Sequence, residues 1–246
     1  MNAVKISEFF SESPDVSIAQ LSNMAKGWKD FLEIISDLCD GFTYTVLIFG
    51  ITLLAALPLG LIIAFGSMSK FKPLNLVSRG FVWVIRGTPL MLQIIFFDMG
   101  PGLWLGMPIR EPWQHLMMVC VAFSINYACY FSEIYRGGIQ SVPYGQYEAG
   151  QVLGMTKTQI FSKVVLLQVI KRITAPMSNE IITLVKDTAL ASTVISVDLF
   201  TVAKHLVNVK VVLWPIFGAG LFYLIFNGLL SFLLGKLEKK LDYFKV

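Results

Sequence analysis

FTYTVLIFGITLLAALPLGLIIAFG, residues Phe42–Gly66, runs for 25 residues without a charge. A membrane-crossing helix needs about 20 mostly apolar residues, so this stretch reads as a span, with Pro58 its one interruption. Working outward, residues 87–109 carry a single charge, Asp98. Residues 112–133 carry none before Glu133, and residues 211–235 carry none at all. The segment 173–203 differs, because Glu180, Lys186, Asp187 and Asp198 lie within it. Its length fits one span that is polar on one face or locally unwound; a loop folded back on the protein is the alternative. The sequence therefore predicts an all-α, polytopic membrane protein with five transmembrane helices.

Composition agrees. Of 246 residues, 55% are apolar types and only 15% charged, against roughly 25% charged in an ordinary soluble domain. Mean hydropathy is +0.68. These values exclude a disordered chain, a collagen-like repeat and a disulfide-stapled module. Cys39, Cys120 and Cys129 are too few and too scattered for a disulfide framework or a zinc site. His115 and His205 stand apart in the sequence, with no neighbouring metal-ligand types.

The net charge of +4 gains its meaning from position. Five spans place thirteen Lys and Arg residues on one side and six on the other, with Lys186 inside a span. The basic side is cytoplasmic by the positive-inside rule, which predicts the N-terminus outside and the C-terminus inside. The charge marks topology and calls for no nucleic acid partner.

Residues 1–41 have neither a basic start nor a long apolar run, so no cleavable signal peptide is expected. From Leu21 the apolar Met24, Trp28, Phe31, Leu32, Ile35 and Leu38 follow helical spacing. An amphipathic helix, packed on the chain's own spans, is expected as an extracytoplasmic N-terminal segment, with a transmembrane domain over residues 42–246.

The longest polar interruption is RGGIQSVPYGQYEAGQVLGMTKTQIFSKVVLLQVIKR, Arg136–Arg172. Pro143 suits the first turn of a helix to about Leu153, and Gly154 suits its left-handed end. Thr156 and Gln159 form a capping-box pattern for a second helix. Two short helices around a glycine turn make a compact knob, either a docking element or simply a loop.

Glu148-Ala149-Gly150 followed by Gly154 resembles the EAA loop, here residues 140–167, of permease subunits of ABC importers. Two positions depart from the pattern: Gly150 replaces an alanine and Leu167 the closing proline. Arg86-Gly87-Thr88-Pro89-Leu90 is similar to a segment of the polar amino-acid branch of these permeases. So are Asn126-Tyr127 with Glu133-Ile134-Tyr135-Arg136-Gly137-Gly138-Ile139, and Lys186-Asp187-Thr188-Ala189-Leu190-Ala191-Ser192. All occur in the branch's order, from Phe42 to the C-terminus. The resemblance implies the type I importer fold and a dimer with an identical or related permease subunit. It implies two ATP-binding subunits and an extracytoplasmic solute-binding protein as partners. The coupling residues it implies are Tyr144, Glu148, Ala149, Gly150, Leu153 and Gly154. No GxxxxGK[ST] phosphate loop occurs in the chain, so no cofactor is expected on it, and ATP with magnesium belongs on the partner ATPase.

Polar side chains within membrane segments usually face a cavity or a partner. Asn126, Tyr130 and Glu133 share one helix face by their i, i+4, i+7 spacing. Glu180, Thr183, Asp187 and Thr188 cluster in the fourth expected span, and Gln93 and Asp98 lie in the second. These nine residues are the expected substrate-binding set, near the bilayer midplane between subunits. Carboxylates outnumber bases among them, which tilts the expected cargo toward a cationic amino acid. Structural roles compete: Glu133 with Arg136, Asp187 with Lys186, and Glu180 with Lys171 or Arg172. The expected function is a permease subunit working by alternating access in the cell membrane, not itself an enzyme. A stand-alone ion-coupled transporter is the main alternative, and a membrane sensor signalling through the loop a weaker one.

Overall fold

The computed structural model describes residues 14–107, 109–195 and 197–241, with side chains from Gly27 onward. All regular elements among them are helical. Helix α1 (Pro14–Ser67) runs unbroken for 54 residues. The expected amphipathic segment and the first span are thus one helix, with no boundary at residues 41–42; the side chains of Leu21 and Met24 lie outside the described residues.

Helix α2 (Lys72–Gly87) meets α3 (Leu90–Leu105) at a bend of 106°. Pro89 supplies no N–H, and Thr88 before it is extended (φ −115°, ψ 145°), the conformation a following proline imposes. Gly106, at φ 64°, closes α3. This corrects the expected second span: α3 has 16 residues, about 24 Å by helix rise, short of a hydrocarbon core of about 30 Å. The bend and part of α2 belong to any crossing here.

Helix α4 (Pro112–Gln140) is the hub. Phe123, Tyr127, Ala128 and Phe131 are buried along it against α1 and its other neighbours. Gly60 of α1 lets the two helices touch: a Cβ there would lie 2.9 Å from both the Ala128 carbonyl and the Phe131 Cβ. Such close approach through a small residue is the usual basis of helix packing in a bilayer, where apolar burial drives little.

Short helices α5 (Gly145–Val152) and α6 (Lys157–Ile160), then a π-helical turn at Phe161–Val165, lead into α7 (Leu166–Asp187). A 3₁₀ segment (Thr188–Thr193), α8 (Leu199–Lys210) and α9 (Trp214–Leu241) complete the chain. The expected span 173–203 is therefore not one continuous helix. Asp198 sets where the chain becomes α-helical again: its carboxylate accepts from the N–H groups of Phe200 (3.1 Å) and Thr201 (3.3 Å) and from the Thr201 hydroxyl (2.6 Å). It caps a new helix and so satisfies a fully buried acid.

At one end of the molecule Ile34 and Leu38 of α1 are buried against Leu199, Ala203, Leu206 and Ala219. Phe31 stacks on Trp214 at 5.1 Å, and Lys210 Nζ lies 2.9 Å from Glu33. The Glu33 carboxylate raises the Lys210 ammonium above its ordinary pKa. Residues 31–38 of the N-terminal segment thus pack on the chain's own α8 and α9. The knob stands where α4 ends and α7 begins.

Among the described residues three helical stretches are long and apolar enough to cross a membrane: Gly27–Ser67, Pro112–Gln140 and Trp214–Leu241. The bent α2–α3 pair makes a fourth if it counts as one. The fifth expected span survives only as the broken α7–α8 segment.

Candidate functional site

The α2–α3 bend places the end of α2 and the start of α3 beside α4 and α7, and a cleft of about 500 Å³ opens among them. Asn126 and Tyr130 line it from α4, and Glu180, Thr183 and Asp187 from α7. Five of the nine expected binding residues thus share one cavity. The Tyr127 hydroxyl donates to Asp187 Oδ2 at 2.7 Å, fixing that acid against α4. Thr183 turns its hydroxyl back to the Asn179 carbonyl at 2.9 Å, as helical threonines do.

The other four lie elsewhere. Gln93 holds the bend together: its amide donates to the carbonyls of Ile85 (2.7 Å) and Thr88 (3.2 Å) and to the Thr88 hydroxyl (2.8 Å), and its oxygen accepts from Asn126 (3.0 Å). The side chain is buried and fully engaged. Thr188 is buried with its hydroxyl on the Val185 carbonyl. Asp98 does not line the cleft; its Oδ1 lies 2.6 Å from His115 Nδ1. That histidine therefore has a partner invisible in sequence, 17 positions away. Glu133 pairs with Arg136, whose Nε donates at 3.0 Å and whose Nη2 reaches the second oxygen. The i, i+3 pairing weighed from sequence is present, and Glu133 lines a neighbouring cavity of about 400 Å³ with Arg79, Trp83, Arg86 and Arg136.

Sequence reasoning missed Arg86. Counted as a basic residue beyond a span, it stands at the wall between both cavities. Its guanidinium lies over the Tyr130 ring at 4.9 Å and 3.8 Å from Glu133. Its place in the last turn of α2, just before the Thr88-Pro89 break, was the available signal. Lys186 is exposed and does not line the cleft.

The knob has a small core of its own: Val142, Ile160, Val165 and Val169 are buried, with Tyr147 and Met155 packed on them. The Thr156 hydroxyl accepts from Gln159 N–H, and the Gln159 side chain accepts from Thr156 N–H. Gly154, at φ 71°, makes the turn. Arg172 reaches back to the Ser141 carbonyl, tying the far end of the knob to its start. Gly150 packs directly on Ile160: a Cβ there would lie 2.6 Å from Ile160 Cγ1, which explains glycine where the resemblance expects alanine. Tyr144, Glu148, Ala149 and Leu153 remain exposed.

Comparison with known proteins agrees with this architecture. Residues 56–243 match the family described as binding-protein-dependent transport system inner membrane component. The chain is 36% identical over 217 residues to the L-cystine transport system permease protein TcyB of Bacillus subtilis, covering 87% of this chain and 89% of that one. It is 31% identical over 220 residues to the arginine ABC transporter permease protein ArtM of Haemophilus influenzae, covering 87% and 96%. Among solved structures, it is similar to an amino acid ABC transporter crystallised with histidines. The TM-score is 0.77 and the identity 30%, over 85% of this chain and 96% of that one. The MetNI methionine ABC transporter shares the fold alone, with TM-score 0.64, 16% identity and coverage of 85% and 96%.

Proposed function

We propose a function from one premise: the chain belongs to the binding-protein-dependent transport system inner membrane component family, the permease subunits of ABC importers. It carries amino acids across the plasma membrane, with a preference for those bearing a cationic side chain. The single observation behind that preference is the pair of carboxylates, Glu180 and Asp187, in one cleft. Two half-buried acids facing one cleft attract a ligand with two positive groups. Relatives named for arginine and for L-cystine support the amino-acid class.

The engine lies on other chains. Two ATP-binding subunits holding ATP and magnesium dock on the exposed face of the 140–167 knob, at Tyr144, Glu148, Ala149 and Leu153. An extracytoplasmic binding protein delivers the cargo at the opposite end. A second permease subunit, identical or related, completes the pathway, with N-termini outside and C-termini inside. Closure of the ATPases pushes the knob. Its internal core and the Arg172–Ser141 tie pass that motion to α4 and α7, the two helices carrying most of the cleft's polar side chains. The cleft thereby alternates between the two sides of the membrane.

The test is reconstitution of the permease with its ATPase and binding protein in proteoliposomes, followed by uptake of radiolabelled amino acids. Arginine, lysine or histidine should be taken up only with ATP. Uptake confined to acidic or neutral amino acids overturns the cationic preference. Uptake by this chain alone, without ATP, overturns the ATP-driven assignment in favour of an ion-coupled transporter.

A further inference from the structure

Among the described residues, Arg86 is the only basic side chain lining the cleft that holds Glu180 and Asp187. It is also underused. Its guanidinium makes no hydrogen bond to any described residue; its contacts are the Tyr130 ring at 4.9 Å and Glu133 at 3.8 Å. Glu133 takes its hydrogen bonds through both oxygens from Arg136, and Arg86 stands in ion-pair range of the same carboxylate without hydrogen-bonding it. A guanidinium carries five N–H donors in a fixed planar fork. Held on an aromatic face at the wall of a cavity, with those donors unfilled, it is shaped to receive a carboxylate bidentately.

We infer that Arg86 receives the α-carboxylate of the transported amino acid while Asp187 and Glu180 take its cationic groups. This assignment rests on the amino-acid reading above and adds the means of selection. Two carboxylates and one guanidinium complement a ligand with two positive groups and one negative group. An amine lacking the carboxylate leaves the Arg86 donors empty and brings a cation toward a guanidinium with no anion on its cleft side. The permease itself, apart from any binding protein, thus selects α-amino acids over the corresponding amines.

The experiment uses the permease–ATPase complex in lipid nanodiscs without the binding protein. Direct binding is measured for L-arginine, L-lysine, L-histidine and L-cystine and for the matching amines agmatine, cadaverine, histamine and cystamine. The native complex should bind its amino acid at least about tenfold more tightly than the matching amine. Arg86→Gln should weaken the amino acid roughly 10- to 100-fold and leave the amine unchanged or tighter, which also shows that the cleft is folded. Arg86→Lys, keeping charge without the fork, should fall between. Unchanged amino-acid affinity in both variants, or equal loss of amino acid and amine in both, overturns the role of Arg86 and leaves the amino-acid reading standing. A native complex that binds none of the four amino acids overturns that reading as well.

Discussion

The Tyr127 hydroxyl donates to Asp187 at 2.7 Å across 60 positions of sequence, joining the hub helix α4 to the last residue of α7. The acid is thereby held where α7 gives way to the 3₁₀ segment. Tyr127→Phe keeps the ring in its aromatic neighbourhood of Phe123, Tyr130 and Phe131 and removes only the donor. A hydrogen bond to a charged group contributes about 1.5–3 kcal/mol, so half-saturation of uptake should rise about tenfold or more. The complex should assemble normally on size exclusion. Native half-saturation in this variant would show that Asp187 is held without Tyr127 or plays no part in transport.

Gly150→Ala should loosen the knob. The added methyl meets Ile160 Cγ1 at 2.6 Å, and overpacking of this kind costs about 1–3 kcal/mol. Limited proteolysis should cut within residues 140–167 faster than in the native protein. A second change, Ile160→Ala, should restore part of the protection by making room. Equal cutting rates in native and Gly150→Ala protein would mean that the packing yields without cost.

Local features of the site were legible and distant ones were not. The charge-free runs located the three long helices, and the Thr156–Gln159 box, the turn at Gly154 and the Glu133–Arg136 pair follow from neighbours three or four residues apart. Counting charges misplaced Arg86, because a span read from hydropathy ends at a charge, whereas the helix continues to the Thr88-Pro89 break and the bend returns it to the cleft. Gln93 joins the expected binding set because it is polar in an apolar run; that its amide meets three acceptors at the helix break is set by the α2–α3 bend and not by spacing. Tyr127–Asp187 and His115–Asp98 depend on which helices pack together, and no spacing rule reports that.

Glu148→Arg tests the knob as a docking surface. Glu148 is exposed, so the change should alter stability by no more than about 0.5 kcal/mol. It places a long cation on the face assigned to the ATPase. Substrate-stimulated ATP hydrolysis and uptake should fall together to background, while the isolated permease keeps its thermal unfolding midpoint. Full transport with this variant would move the docking face elsewhere.

Asp98 and His115 should prove energetically coupled and remote from the cargo. Their side chains meet at 2.6 Å, half-buried, joining α3 to the start of α4. Alanine substitutions at each, alone and together, close a double-mutant cycle on the thermal stability of the purified complex. Directly contacting partners show interaction energies of about 0.5–3 kcal/mol, so the double variant should lose less than the two single losses combined. Substrate affinity supplies the contrast: Asp98 lies outside the cleft and Asp187 lines it. Asp98→Asn should leave half-saturation within about twofold of native, whereas Asp187→Asn should raise it about tenfold or more, the weight of one charge-assisted contact. Equal effects of the two asparagine variants on affinity would return Asp98 to the binding set and break the division of roles between the α3–α4 pair and the α7 acid.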